Sequence, residues 1–355
     1  MRSVRVAVDA MGGDYAPEAI VDGAVRAARG LRRGSVVLVG DRAQVEEELK
    51  KHKYPPDKLS LVHASEVVEM HESPSKAMRS KPHSSIRVAI DLMREGEVDA
   101  VVTAGNSGAA MAIAIWRLKK LEGVDRPALA SLHPSLRGYT VVLDVGGNVD
   151  CRPIHLVQFA IMGSLYAQLV LRKANPKVGL LSNGTEETKG NELTRKVHQL
   201  LKKSPLNYIG YVEGRDIYVG EVDVVVCDGF VGNVVLKTSE GIGEFMREAF
   251  RGGVGKNLFR RMGYFLIRRI VHVLQEKMDY SHYGGVPLLG INGVCFICHG
   301  HSSPKAIESA VYAASDYVTQ GVNQSLEKAL RESELKSWGQ AALRFWEQIK
   351  DKMGH

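Results

Sequence analysis

Strand-like apolar runs alternate with helical patterns along most of this chain, and that alternation limits its fold more than any other feature. Apolar, β-rich runs at residues 5–8, 36–39 and 100–102 are each followed by a helical repeat, and later runs keep the same order. The alternation predicts a three-layer α/β/α fold, in which helices cover both faces of a mostly parallel sheet. No linker rich in Pro, Gly or Ser divides the chain, so we expect residues 1–355 to form one unit.

Six of the predicted strands end in loops rich in Gly, Asn and Ser, each followed by a helical pattern. Glycine lets backbone N–H groups approach an anion, and the helix that follows presents unpaired donors and the positive end of its dipole. We expect all six loops at one edge of the sheet, because parallel strands end together. They predict a site for phosphate or another anion, with ordinary turn chemistry as the alternative. The six loops start at Asp9, Thr103, Asp144, Ser182, Asp228 and His299.

The loops do not carry the motifs of a nucleotide site. None is a Walker A sequence, and none has the full G-x-G-x-x-G spacing after a strand. Gly12-Gly13 comes nearest, but Asp14 follows and would repel a pyrophosphate. There is no G-x-S-x-G elbow either, so we expect Ser107 to serve at a helix start rather than as a nucleophile.

The four cysteines indicate neither a metal site nor a reactive thiol. Cys295 and Cys298 form a C-x-x-C without a second ligand pair, and a strand there would point the two thiols to opposite faces. Cys151 and Cys227 have no evident activating partner. We expect buried, reduced thiols in a cytoplasmic protein, since the first residues lack a signal-peptide pattern. The uncharged stretch 156–171 is short for a membrane span, so a buried helix is expected there.

The formal charge of +7 permits an anionic partner: nucleic acid, a membrane surface, an acidic protein or a phosphorylated substrate. Residues 72–85 read as a basic, Ser-rich loop before a helix. Lys76, Arg79 and Lys81 are suited to clamp a phosphate or a phosphopantetheine. A solvated loop without a ligand is an equal alternative.

The loops resemble those of the phosphate acyltransferases of bacterial phospholipid synthesis. The chain departs from that family's pattern at Gly147, where Ala is expected, at Asn183-Gly184-Thr185, and at His301. The resemblance runs through nearly the whole chain in the family's order. The matching stretches are residues 8–18, 72–85, 103–109, 126–128, 143–150, 186–193, 212–217, 223–238 and 290–303.

The resemblance implies a fold similar to the isocitrate/isopropylmalate dehydrogenases and the phosphate acetyltransferases. Two intertwined α/β subdomains would surround one cleft in a homodimer, with no metal and no redox cofactor. The implied reaction transfers a long-chain acyl group from acyl carrier protein to inorganic phosphate. The acyl phosphate would pass to a downstream membrane acyltransferase, and no nucleic acid is involved. An oxidoreductase on the same kind of fold and a non-enzymatic membrane scaffold are the competing classes.

On this resemblance we expect direct attack of phosphate on the thioester, with the enzyme positioning both substrates and stabilising the oxyanion. Lys189 would neutralise phosphate charge, while Asp228 or His299 would orient phosphate or protonate the leaving thiolate. A surface lysine and a structural histidine are the alternatives for Lys189 and His299. The expected catalytic residues are Lys189, Asp228, Asn233 and His299. The expected phosphate or oxyanion ligands are Asp9, Gly12, Gly13, Asn106, Ser107, Gly108, Gly146, Gly147 and Asn148.

A helical pattern without a neighbouring strand breaks the alternation, and we expect residues 255–283 to project as an amphipathic segment. An apolar stripe flanked by arginine is typical of a helix at a membrane interface, so we expect peripheral membrane association or a carrier-protein surface. An ordinary helix packed on the core or on the other subunit is the alternative. The residues assigned to this surface are Phe259, Arg260, Arg261, Met262, Leu266, Arg268, Arg269 and Ile270.

Overall fold

A computed structural model describes residues 3–254 and 284–332 of the chain. The amphipathic segment predicted at residues 255–283, with its eight assigned surface residues, lies outside the described residues. Within them, the strands join one sheet in the order β3-β2-β1-β4-β11-β10-β5-β6-β9-β7-β8. The strands are β1 Val4–Asp9, β2 Gly34–Gly40, β3 Leu59–His63, β4 Ala100–Thr103, β5 Ala128–Ser135, β6 Gly138–Leu143, β7 Val178–Leu181, β8 Tyr208–Val212, β9 Val224–Val226, β10 Val286–Leu289 and β11 Cys295–Ile297.

Helices cover both faces of this sheet. Along β1, Val6 and Val8 enter one buried cluster with α1 and α6, while Ala7 enters a second with α4 and α5. The expected α/β fold with a mostly parallel sheet is therefore confirmed. The helices are α1 Glu18–Gly30, α2 Arg42–Leu49, α3 Pro74–Ser80, α4 Ser85–Arg94, α5 Ser107–Leu118, α6 Pro153–Leu169, α7 Glu192–Leu201, α8 Asp216–Val219, α9 Gly229–Val254, α10 Pro304–Thr319 and α11 Val322–Glu332.

The strands do not all run in the same direction, which corrects the expectation that the six polar loops share one edge. Strand β10 is antiparallel to both β11 and β5, and β5 is antiparallel to β6. Strands β1, β4 and β11 therefore run in one sense, and β6, β7 and β9 in the other. The six loops therefore form two sets of three. One set follows β1, β4 and β11, and the other follows β6, β7 and β9 at the opposite edge of the sheet, where the strand ends point the other way.

Helix α6 contains most of the uncharged stretch considered as a membrane span. Its residues Leu156, Phe159 and Met162 are fully buried, and Gly163 lies so close to the sheet that an added Cβ would be 2.6 Å from a methyl carbon of Val224. The helix is apolar because both the sheet and other helices cover it, as predicted. Across the described ranges, no helix combines the length and hydropathy that a bilayer crossing requires.

Three local predictions were wrong. The helical pattern of the sequence covers residues 187–202, but the helix begins only at Glu192, because Asn191 caps it by accepting a hydrogen bond of 2.8 Å from Thr194 N. The loop expected at 72–85 contains α3, seven residues that start at Pro74 and bury one side chain, Ala77. Strand β10 was not predicted, because four residues that include Pro287 give too short a pattern.

Candidate functional site

Asp9 organises the loops at the ends of β1, β4 and β11. Its side chain is only 2% exposed, and its Oδ2 accepts a hydrogen bond of 2.7 Å from Thr103 Oγ1. Met11 N donates to Oδ1 at 3.3 Å. Burial raises the pKa of Asp9, and the hydrogen bonds that it accepts oppose this shift. The carboxyl group is thus committed to neighbouring loops.

Gly12 and Gly13 bring these loops into contact. A Cβ on Gly12 would lie 2.6 Å from Asp9 Oδ2, and one on Gly13, whose φ is +113°, would lie 2.9 Å from Gly300 O. The space beside Asp9 and Thr103 is about 10 Å³, enough for roughly one water molecule. Asp9, Gly12 and Gly13, predicted as phosphate ligands, therefore lie in a closely packed junction of loops.

Asn106 is the N-terminal cap of α5. Its Oδ1 accepts from Ala109 N at 3.0 Å, and its Nδ2 donates to the carbonyl oxygens of Glu69, Met70 and Glu72. Ser107, which is exposed, and Gly108 follow in the first turn, where backbone N–H groups have no partner within the helix. The donors available to an anion here are backbone groups rather than the Asn106 amide.

Asp144 organises the opposite edge in the same way. Its fully buried carboxyl accepts hydrogen bonds of 3.0 Å from Leu129 N and Gly147 N, and of 2.7 Å from Asn148 Nδ2. Asn148 Nδ2 also donates to Pro127 O at 2.8 Å. Burial raises the pKa of Asp144, and these donors oppose the shift. The predicted ligand Asn148 therefore uses its side chain to hold Asp144.

Gly146 and Gly147, which follow Asp144, lie close to α9 and α5, two helices that begin at opposite edges of the sheet. A Cβ on Gly147 would lie 3.3 Å from Met111 Sδ, and Met111 is one turn beyond Ser107 on the same face of α5. A Cβ on Gly146 would lie 3.6 Å from Asn233 Oδ1 on α9. The structure thus places Gly146 beside Asn233, and Gly147 beside Met111, one turn from the start of α5. We call the five predicted residues of these segments the glycine junction. They are Ser107, Gly108, Gly146, Gly147 and Asn233.

The start of α9 is fixed against Asp144. Asp228 Oδ1 accepts from Val231 N at 2.9 Å, which makes Asp228 a helix cap rather than a free carboxylate. A Cβ on Gly232 would lie 1.8 Å from Asp144 O, so no larger residue fits at this position. This close approach determines where Asn233 stands beside Gly146.

Lys189 lies in the loop between β7 and α7, at the same edge as the glycine junction, because β7 is parallel to β9. Asn183 Oδ1 accepts from Gly190 N at 3.0 Å and closes this loop. A Cβ on Gly184 would lie 2.9 Å from Lys189 Cγ, so the missing side chain makes room for the lysine stem. Lys189 is therefore a loop residue, not a residue of the first turn of α7.

His299 lies at the other edge but is joined to the junction through α9. Its Nε2 is 2.9 Å from Glu240 Oε2 and 2.5 Å from Lys237 Nζ. Asn233, Lys237 and Glu240 are four and three residues apart, so they lie on one face of the helix. Lys237 and Glu240 were missed by the sequence analysis, although their spacing from Asn233 was a signal that could have indicated them.

The three basic residues expected to clamp a phosphopantetheine have different surroundings. Lys76 and Arg79 are exposed on α3. Lys81 Nζ instead donates to Glu72 Oε2 at 2.6 Å and to Val67 O at 2.7 Å. An open pocket of about 480 Å³ lies beside them, lined by Glu66, Glu69, His71, Glu72, Lys76, Ser80 and Lys81.

All four cysteines are free, and Cys295 and Cys298 enter opposite buried clusters, as predicted. Burial raises the pKa of Cys151, Cys295 and Cys298 to about 12, and that of Cys227 well above its ordinary value. Thiols in this state are poor nucleophiles near neutral pH. Within the described ranges, no group of three or more His, Cys, Asp or Glu side chains is arranged to hold a metal ion.

Comparisons with known proteins give a family model and close relatives. The model described as fatty acid synthesis protein matches residues 4–325. The phosphate acyltransferase of Geobacter sulfurreducens is 55% identical over 327 residues, which are 92% of this chain and 94% of that protein. The phosphate acyltransferase of Geotalea uraniireducens is 56% identical over 330 residues, 93% of this chain and 95% of that protein.

Solved structures with a similar fold are more distant in sequence. The EutD phosphotransacetylase from Staphylococcus aureus has a TM-score of 0.55 at 14% identity, covering 89% of this chain and 94% of that one. A 4-hydroxythreonine-4-phosphate dehydrogenase from Klebsiella pneumoniae has a TM-score of 0.51 at 13% identity, covering 89% and 98%. At these identities the likeness concerns the fold alone.

The contact between Gly232 and Asp144 O leads to a prediction about stability. Gly232→Ala should lower the free energy of unfolding by about 1–3 kcal/mol, because its Cβ forces the backbone of α9 or of Asp144 to move. Gly241→Ala is the matched control on the same helix, since nothing lies within 4 Å of the added Cβ. It should be neutral or stabilising by up to about 1 kcal/mol. Urea unfolding of both variants checks this, and equal stabilities would contradict the packing described.

Proposed function

Since the chain belongs to the fatty acid synthesis protein family of phosphate acyltransferases, it is an acyltransferase, and we propose its full reaction. A long-chain fatty acyl group passes from acyl carrier protein to inorganic phosphate. The acyl phosphate formed then serves phospholipid synthesis. The wider fold relation to the isocitrate/isopropylmalate dehydrogenases, with two intertwined subdomains, is part of the same proposal.

The glycine junction is the observation that carries the phosphate site. Ser107 and Gly108 bring backbone donors from the start of α5, Gly146 and Gly147 leave space beside them, and Asn233 adds a side-chain amide. Neutral donors of this kind stabilise both a bound phosphate and a developing oxyanion. Lys189, in a loop at the same edge of the sheet, supplies the positive charge.

Direct attack by phosphate agrees with the state of the thiols. A covalent mechanism through cysteine would need an ionised thiol, whereas burial raises the pKa of all four thiols and so favours their protonated form near neutral pH. Phosphate is itself a competent nucleophile near pH 7. The enzyme then has to position phosphate against the thioester carbonyl and to stabilise the tetrahedral oxyanion.

The proposed reaction is tested with a defined acyl–acyl carrier protein and a phosphate titration. Free carrier-protein thiol and acyl phosphate should appear in equal amounts and only when phosphate is present. Sulfate at the same ionic strength is the control, because it resembles phosphate but is a poor nucleophile. Thiol release that does not depend on phosphate, or a labelled acyl group trapped on Cys227 or Ser107, would contradict direct attack.

Lys189→Met and Asn233→Ala should lower turnover or raise the KM for phosphate while the protein remains folded. Loss of one oxyanion donor typically costs on the order of 100- to 1,000-fold in rate. Lys203→Met, which removes an exposed lysine beyond α7, is the matched control and should retain wild-type kinetics. Near-normal rates for both site variants would place phosphate elsewhere.

The carrier protein is proposed to dock near α3, where Lys76 and Arg79 are exposed beside the open pocket. Acidic groups on a carrier protein or the phosphate of its prosthetic arm would suit these cations. Peripheral membrane binding through Arg260, Arg261, Arg268 and Arg269 of the amphipathic segment remains a proposal from sequence. Co-sedimentation with anionic liposomes at low and high salt tests it, since screening weakens binding to anionic lipid.

Helix α9 offers a surface for the proposed homodimer. The side chains of Val231, Val234, Ile242 and Phe245 are 37%, 51%, 53% and 71% exposed. Their helical spacing places them in one stripe, about 21 Å long, on a face different from that of Asn233 and Glu240. A long exposed apolar stripe is typical of an interface, and a twofold axis would pair it with its own copy.

Replacing Ile242 and Phe245 together by Glu should convert the dimer into a monomer, because each copy would bring like charges to the interface. Light scattering after size-exclusion chromatography measures the mass. Leu136→Glu, at an apolar residue that is 82% exposed in the turn between β5 and β6, is the control and should leave the mass unchanged. A double variant that stays dimeric would place the interface elsewhere.

A further inference from the structure

Lys189 is a partly buried lysine whose ammonium group has no hydrogen bond or ion pair with another residue of the described ranges. Neighbouring lysines differ in this respect: Lys196 pairs with Glu192 at 2.6 Å, and Lys202 pairs with Glu187. A cation that is partly removed from water costs free energy until an anion joins it. The loop between β7 and α7 therefore presents one positive charge that a phosphate can satisfy.

The stem of Lys189 lies across the backbone of Gly184. A Cβ on Gly184 would lie 2.9 Å from Lys189 Cγ and 3.1 Å from its Cε. The Lys189 N–H donates to Glu186 O at 3.0 Å, which closes a four-residue turn. The direction in which the Lys189 side chain leaves the loop thus depends on how this turn is held.

Asn183 fastens the turn at its base. Its Oδ1 accepts hydrogen bonds from Gly190 N at 3.0 Å and from Ser182 Oγ at 3.3 Å. Gly190, whose φ is +86°, lies so close to α7 that an added Cβ would be 2.4 Å from Thr194 Oγ1. The hydrogen bond from Gly190 to Asn183 therefore ties the end of β7 to the start of α7, and Lys189 is the residue next to this tie.

We propose that Asn183 is a positioning residue, which holds Lys189 at the phosphate site through the backbone of Gly190. The inference rests on the proposed function, since it takes Lys189 as the cation that meets phosphate. Without the Asn183 acceptor, the Gly190 N–H would bond to water and the loop would open more often. Phosphate binding would then have to order the loop and would be weaker for that reason.

Hydrogen–deuterium exchange of the full chain, measured by mass spectrometry on peptides that cover residues 183–191, tests the tie without any reaction. Asn183→Leu keeps a side chain of similar size but removes the acceptor, so exchange in these peptides should be on the order of 3- to 10-fold faster. Asn175→Leu, at an exposed asparagine in the loop before β7, is the matched control and should leave exchange unchanged. Unchanged exchange in Asn183→Leu overturns the inference.

Steady-state kinetics test whether the tie acts on phosphate. Asn183→Leu should raise the KM for phosphate by about 3- to 10-fold, while the KM for the acyl–carrier protein stays nearly unchanged. A general loss of structure would change both KM values and lower the melting temperature. Faster exchange with an unchanged KM for phosphate overturns the positioning role.

A double-mutant cycle tests whether Asn183 acts through Lys189. In a Lys189→Met background, Asn183→Leu should lower kcat/KM for phosphate by less than about twofold, because the group that it positions is already gone. An equal loss in both backgrounds overturns the proposal, since Asn183 would then act independently of Lys189. If the wild type forms no acyl phosphate, the proposed function fails, whereas the exchange comparison still decides whether Asn183 holds the loop.

Discussion

Two buried carboxyl groups hold in place the polar loops at the two edges of the sheet where strands end. Asp9 ends β1 and Asp144 follows β6, and burial makes the charged form of each costly unless it collects hydrogen bonds. Each accepts backbone N–H groups from the loop that follows it and a side-chain donor, Thr103 or Asn148. The polar residues of these loops therefore satisfy a buried acid first, and only the donors left over are available to a ligand.

The glycine junction follows from that constraint. Once Asp144 has drawn the loop back on itself, Gly146 and Gly147 face outward toward α9 and α5, and Gly232 lies against the Asp144 carbonyl. Helix α9 then serves three purposes on three faces. Val235 and Leu236 pack on the sheet, Asn233, Lys237 and Glu240 face the two sets of loops, and an apolar stripe stays exposed.

The alternation of patterns predicted nearly every strand correctly, because buried strands are continuous apolar runs whose bounds are easy to read. It failed on strand direction, since β10 is antiparallel to β11 and β5, and β5 is antiparallel to β6, so that β6, β9 and β7 run opposite to β1, β4 and β11. Asn106, Asn148 and Asp228, which lie in polar loops after strands, were expected as site residues on the family resemblance. Only the structure shows that Asn106 and Asp228 cap helices and that Asn148 holds a buried acid. The partners of a polar side chain are three-dimensional information that spacing does not contain.

At Gly147 the chain departs from the family's pattern, and the contacts around this residue indicate what the departure changes. The resemblance in sequence leads one to expect Ala there, and a Cβ would lie 3.1 Å from both carboxylate oxygens of Asp144 and 3.3 Å from Met111 Sδ. Asp144 is held by three donors and cannot yield, whereas the thioether of Met111 is flexible and can. Positions 147 and 111 are therefore coupled: Gly147 lets the sulfur approach the loop, and an alanine would force the Met111 side chain to shift. The width of the glycine junction, where we propose that phosphate binds, is thus set by a pair of residues on two elements rather than by the loop alone.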